Sequence, residues 1–231
     1  MTVTAPFPRF CAVSDCAVLV EFSDIVSDKS HAQVLSLHAK LEQRPFLGFT
    51  EAVPALVNIL VCFDVMKADH TEAEVAIRAL LETPDTAPKK GVERQVDICF
   101  DPEFGPDLTT VAEKTGQSED AVIKAYLAQT YQVVMYGFAP GYAYLSGVPK
   151  QLQLPRKPSA KRGIAAGSVI IAGPQSLITT LTMPTGWWII GRSPTRILQA
   201  EQVQPFLFEV GDQVRFNRID RPTFDTKGIA P

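Results

Sequence analysis

Between residues 131 and 216 the chain is cut into short apolar runs by glycine and proline: YQVVMY, GSVIIAG, GWWIIG and DQVRF. Each run has strand length and is rich in β-branched or aromatic residues. Turn formers separate the runs at regular intervals, and such a pattern predicts an open or closed β-barrel.

The first third reads differently. CAVLVEF at 16–22 is a nearly continuous apolar run and predicts a buried strand. Val34, Leu37 and Leu41 then recur at helical spacing, and Arg44-Pro45 ends that helix. Strands are expected at 48–53 and 55–63, with Pro54 between them, and a helix at 71–82. The order β-α-β-β-α is that of a ferredoxin-like sandwich, which a further strand at 95–100 would complete. TPDTAPKKG at 83–91 has no apolar residue larger than alanine and predicts a linker. Two short helices follow at 107–115 and 119–128, the second capped by Ser118. The expected fold class is α+β: a ferredoxin-like domain over 1–90, then a barrel domain over 91–231.

Charge and apolarity exclude several classes of function. A net charge of −3 gives no basic excess for nucleic acid or an anionic membrane surface. No apolar run reaches the roughly 18 residues of a membrane span. The first ten residues hold two prolines and no signal-peptide core, so a cytoplasmic protein is expected. Cys11, Cys16, Cys62 and Cys99 lack metal-type spacing; Cys16, Cys62 and Cys99 read as small reduced core residues. His31, His38 and His70 read as surface or helix-face residues, and no metal site is expected. Neither phosphate-binding glycine loop nor Gly-x-Ser-x-Gly elbow occurs.

Candidate chemistry gathers between residues 137 and 192. GFAPGYAYLSGVP opens it, and its Gly137, Phe138, Pro140, Gly141, Tyr142 and Tyr144 form either an aromatic-lined pocket for a planar small molecule or a structural loop packed by its own rings. LPRKPSAKRGIAAGS carries Arg156, Lys157, Lys161 and Arg162 with no acidic residue. It is either a site for a carboxylate or phosphate or a solvated basic loop. Ser168 closes that segment. Downstream, Gln175 can donate and accept hydrogen bonds, Thr185 adds a hydroxyl, and Arg192 ends a strand. Trp187 and Trp188 should point to opposite faces, one to a core and one to a surface or groove.

The ordered segments EFGPDL (103–108), GFAPGYAYL (137–145), PRKPSAKRGIAAGSVIIAG (155–173), PTGWWIIGRSP (184–194) and GDQVRF (211–216) resemble a family that includes the B-type subunit of 5-oxoprolinase, the first subunit of allophanate hydrolase and KipI-like proteins, related to carboxyltransferase subdomains C and D. That resemblance implies a cyclophilin-like barrel and a C-type partner chain with a companion barrel, joined in some assemblies by a third, lactam-opening subunit. It implies ATP as a substrate of the assembly and a small lactam or urea-like amide as its target. Arg156 and Lys161 would hold anionic groups, and Gln175 and the 137–144 loop would orient the amide. Where the family has a histidine this chain has Tyr126, whose phenol is a poor general base at neutral pH. Thr185 stands where the family has glycine. Two other readings share the resemblance: a biotin-dependent carboxyltransferase component, and a non-catalytic KipI-like inhibitor or binding protein.

Overall fold

A hairpin of Arg9–Ala12 (β1) and Ala17–Glu21 (β2) opens the computed structural model, which describes residues 6–84, 91–199 and 201–228. Contacts divide the chain into two units, Met1–Lys90 and Gly91–Pro231. Most of the expected linker, residues 85–90, lies outside the described residues.

In the first unit, Asp28–Gln43 (α1), Phe49–Pro54 (β3), Asn58–Phe63 (β4) and His70–Glu82 (α2) follow the hairpin. Capping boxes start both helices, Ser27 with Ser30 for α1 and Asp69 with Glu72 for α2. The antiparallel sheet runs β1-β2-β4-β3. Its core includes Val18, Val20, Val34, Leu37, Leu41, Ile59, Val61 and Ile77. The strand expected at 95–100 does not complete this sheet. β1 occupies the edge beside β2 instead, because a hairpin across four residues closes at far smaller loop cost than a strand returning from beyond α2. One side-chain expectation also changes. Cys16 is exposed at the hairpin and Cys62 half-buried, so of the three expected core cysteines only Cys99 is buried. His31 lies on a face of α1, as expected, and is buried there.

The second unit begins with Glu93–Cys99 (β5), then Leu108–Thr115 (α3), Glu119–Leu127 (α4), Tyr131–Tyr136 (β6) and Ala143–Ser146 (β7). Lys161–Ile164 (β8), Ser168–Ala172 (β9), Gln175–Ile178 (β10), Met183–Thr185 (β11), Trp188–Arg192 (β12), Gln213–Ile219 (β13) and Arg221–Lys227 (α5) complete it. Seven strands close a barrel in the order β10-β7-β6-β13-β5-β12-β9, with β9 pairing back to β10. Closure leaves none of these strands with a free edge. β8 and β11 form a separate two-stranded ribbon.

Alternation along β9 explains its unbroken apolar run. Val169 and Ile171 join the main core with Val111, Val122 and Tyr126 from α3 and α4. Ile170 and Ala172 point the other way, into a second cluster with Tyr142, Leu177, Trp187 and Ile189. Both faces of this wall are buried, so it needs no polar positions. The tryptophans separate as expected: Trp188 enters the main core and Trp187 the second cluster.

Candidate functional site

A cleft of about 270 Å³ opens in the second unit on the face of β7, β9 and β10 opposite the main core. Its floor is Tyr144, Ile170 and Leu177, and Trp187, Tyr142 and Phe138 add aromatic walls. Arg156, Lys157 and Ala160 close one side, and Pro184, Thr185 and Gly186 another. Tyr144 and Trp187 meet edge to face, with ring centroids 5.8 Å apart. This is the mixture small-molecule sites use: apolar walls with a few convergent polar groups.

The polar groups are specific. The Arg156 guanidinium lies 5.7 Å from the Trp187 ring centre, and no carboxylate of the described residues pairs with it. Lys157 is different, since its ammonium donates to Asp107 Oδ2 at 2.6 Å. The absence of acidic residues from the basic segment therefore leaves Arg156 unneutralised but not Lys157, whose partner lies 50 residues earlier. The hydroxyls of Tyr142 and Tyr144 make no hydrogen bond to another described residue. Burial pushes the Tyr142 phenol up to about 12. It raises that of Tyr144 too, opposed by the nearby Arg156 charge. Both are neutral donors at physiological pH.

The Gly137–Tyr144 loop presents these rings. Gly137 donates to the Tyr142 carbonyl, the Pro140 carbonyl accepts from Thr180 Oγ1 at 2.6 Å, and Gly141 has φ +74°. A Cβ at Gly141 would lie 3.0 Å from Thr180 Cγ2, so glycine serves both the turn and the packing. Phe138 holds φ +71° and, 69% exposed as a residue, lines the cleft.

Of the residues singled out from sequence, Phe138, Tyr142, Tyr144, Arg156, Lys157, Thr185 and Trp187 line the cleft, and Gly137, Pro140 and Gly141 shape its loop. The others go elsewhere. Tyr126 is wholly buried in the main core, hydrogen-bonded to Ser176 Oγ at 2.8 Å, and burial drives its phenol far above the usual range. Lys161 is exposed on β8, and Gln175 begins β10 without lining the cleft. Ser168 is buried, its hydroxyl donating to the Ala165 carbonyl. Arg192 donates to the Ala166 carbonyl, and burial lowers its pKa. Sequence reasoning missed the floor residues Ile170 and Leu177. Their only signal was strand alternation, which tells two faces apart without saying which one borders a cleft.

A wider concavity of about 620 Å³ borders Cys99, Asp101, Arg218 and Arg221. Its cations are matched internally: Arg221 pairs with Glu103 at 2.7 Å and Asp225 at 3.0 Å, and Arg218 with Asp120 at 3.6 Å. The smaller cleft, with an unmatched cation and free hydroxyls, is the better site.

Known proteins share this architecture. Residues 8–208 match the family described as carboxyltransferase domain, subdomain C and D. A Bacillus subtilis (strain 168) protein, named as the B-type subunit of 5-oxoprolinase, is 31% identical over 228 residues, covering 92% of this chain and 93% of that one. The solved structure of TTHA0988 aligns with a TM-score of 0.78 at 28% identity, covering 90% of this chain and 40% of that chain. Kluyveromyces lactis urea carboxylase aligns with a TM-score of 0.73 at 15% identity, covering 95% of this chain and 23% of that chain, a likeness of fold. The chain thus spans less than half the length of either solved protein.

Proposed function

Because the chain belongs to the carboxyltransferase subdomain C and D family, we propose that it is the B-type subunit of a heteromeric, ATP-dependent amidohydrolase that opens a small anionic lactam or urea-like amide. Arg156 carries this reading: a cation without a carboxylate, over an indole face, in a cleft with two free phenol donors. Guanidinium groups bind carboxylates through paired hydrogen bonds. Neutral Tyr142 and Tyr144 would donate to the amide carbonyl, stabilising charge that grows on its oxygen. Tyr126 takes no part, since its hydroxyl is sealed in the core. ATP enters as a co-substrate of the assembly rather than a ligand of this cleft, where one unmatched cation does not suit a triphosphate. Lys161 and Gln175 lie outside the cleft and drop out of the amide-binding set.

A second reading is favoured by the family's description, a carboxyltransferase domain. Here biotin, delivered by a carrier domain on another chain, would set its ureido ring against Trp187 and Tyr144. Co-expression with the partner subunit separates these readings. We expect a stable complex whose ATP hydrolysis rises with 5-oxoproline or allophanate. In that complex Arg156→Ala weakens ligand binding by about tenfold to a hundredfold, the equivalent of one charged hydrogen bond. No ATP turnover, but carboxyl transfer once a biotin carboxylase and carrier are added, favours the second reading. Ligand binding without either activity marks a non-catalytic binding protein.

A further inference from the structure

We infer that Asp107 and Lys157 form a positioning pair that fixes the charge of the cleft at a single unmatched cation and holds Arg156 in place, so that the cleft selects a ligand with one carboxylate; this rests on the cleft reading above. Asp107 occupies the N-cap of α3, yet its side chain makes no capping bond. An aspartate there normally accepts from the backbone of the first helical turn. Here Oδ2 accepts instead from Lys157 Nζ at 2.6 Å and from the Ile189 N–H at 2.9 Å. The Asp107 N–H in turn donates to the Ile189 carbonyl at 3.0 Å. The approach requires glycine two residues before, because a Cβ at Gly105 would lie 2.5 Å from the Ile190 carbonyl oxygen.

Lys157 is therefore tied twice. Its side chain reaches Asp107, and its N–H donates to the Gly186 carbonyl at 2.7 Å. One anchor, Gly186, lines the cleft beside Trp187, and the other binds Ile189 two residues further along the same strand segment. The two side chains are only 12% and 17% exposed, so their attraction is weakly screened. The neighbouring Arg156 is left as the cleft's unmatched cation, beside the Trp187 ring and next to a residue held by two bonds. With Lys157 neutralised, a ligand monoanion balances the cleft, whereas a dianion would bring an uncompensated charge.

The test uses the full chain with its partner subunit and compares affinity for 5-oxoproline with that for pyrrolidin-2-one, the same lactam without the carboxylate. The Asp107→Asn/Lys157→Met double variant removes the tie without altering the net charge of the cleft. We expect its preference for the carboxylated lactam to fall several-fold, toward that of Arg156→Ala. Lys157→Arg, which keeps the pair, should retain the preference. A double variant that melts lower yet keeps the full preference overturns the inference and leaves the pair a structural tie. Should the double variant not fold, the milder and equally charge-neutral Asp107→Asn/Lys157→Gln variant decides the matter in the same way. An Arg156→Ala variant with undiminished preference, its pair intact, overturns the carboxylate reading of the cleft itself, and the inference with it.

Discussion

Phe138 pays twice for its position. A non-glycine residue at φ +71° forgoes about 1–2 kcal/mol, and a residue left 69% exposed recovers little of that by burial. Its ring centre lies 5.6 Å from that of Tyr142, and it lines the cleft. Strain of this kind persists where function holds it. Phe138→Gly should therefore raise stability by up to about 1 kcal/mol, since glycine reaches the left-handed region freely, while weakening ligand binding. Phe138→Ala keeps the strain and loses the ring, so it should bind weakly without the gain in stability. Urea denaturation of both variants beside ligand titration checks this; a glycine variant less stable than the parent sinks the strain argument. Tyr126 teaches the converse. The family resemblance puts it where a histidine is usual, but packing against Tyr131 and Phe216 makes it a core residue.

Among the elements, α1 carries a pH dependence. Burial lowers the pKa of His31, with the Ala55 and Leu56 backbone offsetting part of the effect, and it lowers that of His38 against the opposing charge of Glu42. Both folded values thus lie below the unfolded value of about 6.5. Above that value both states are neutral and the folded state loses nothing. As pH falls below it the unfolded chain takes up protons first, and stability drops until the folded values are passed. Each histidine can contribute at most about 1.4 kcal/mol per pH unit. Thermal melts from pH 7.5 down to pH 5 should show a falling midpoint that is flatter in a His31→Gln/His38→Gln double variant. The same slope in parent and variant would show that these imidazoles are not its source.

At the scale of the whole molecule, the barrel depends on its first strand. β5 pairs in parallel with β13 along its full length, Glu93 to Cys99 against Gln213 to Ile219, and meets β12 on its other side. Asp212 pins this closure, accepting from the Val92 N–H at 2.8 Å and from Arg94 Nε at 3.1 Å. Each unit has its own apolar core, so fragments 1–90 and 91–231 should each fold. A fragment 100–231 should not, because losing β5 exposes two strand edges and opens the main core. Circular dichroism melts distinguish these cases: cooperative unfolding of 100–231 would show that the barrel closes without β5.

Much of this protein is legible in one dimension. Regular Gly/Pro punctuation announced the barrel. Ser118 announced the start of α4, and adjacent tryptophans announced two faces, because caps, turns and period-two alternation are settled within a few residues. Most of the cleft's aromatic wall was visible in the Gly137–Tyr144 loop for the same reason. Tertiary structure alone decided that residues 93–99 join the barrel rather than the first sheet, that Tyr126 is sealed away, and that Lys161 and Gln175 miss the cleft. It also decided that Lys157 is neutralised and Arg156 is not. A strand's partner and a charge's counter-ion are chosen by whichever group lies nearest in space. Here those groups come from 50 residues away for Lys157 and from the far end of the barrel sequence for β5, beyond the reach of local pattern.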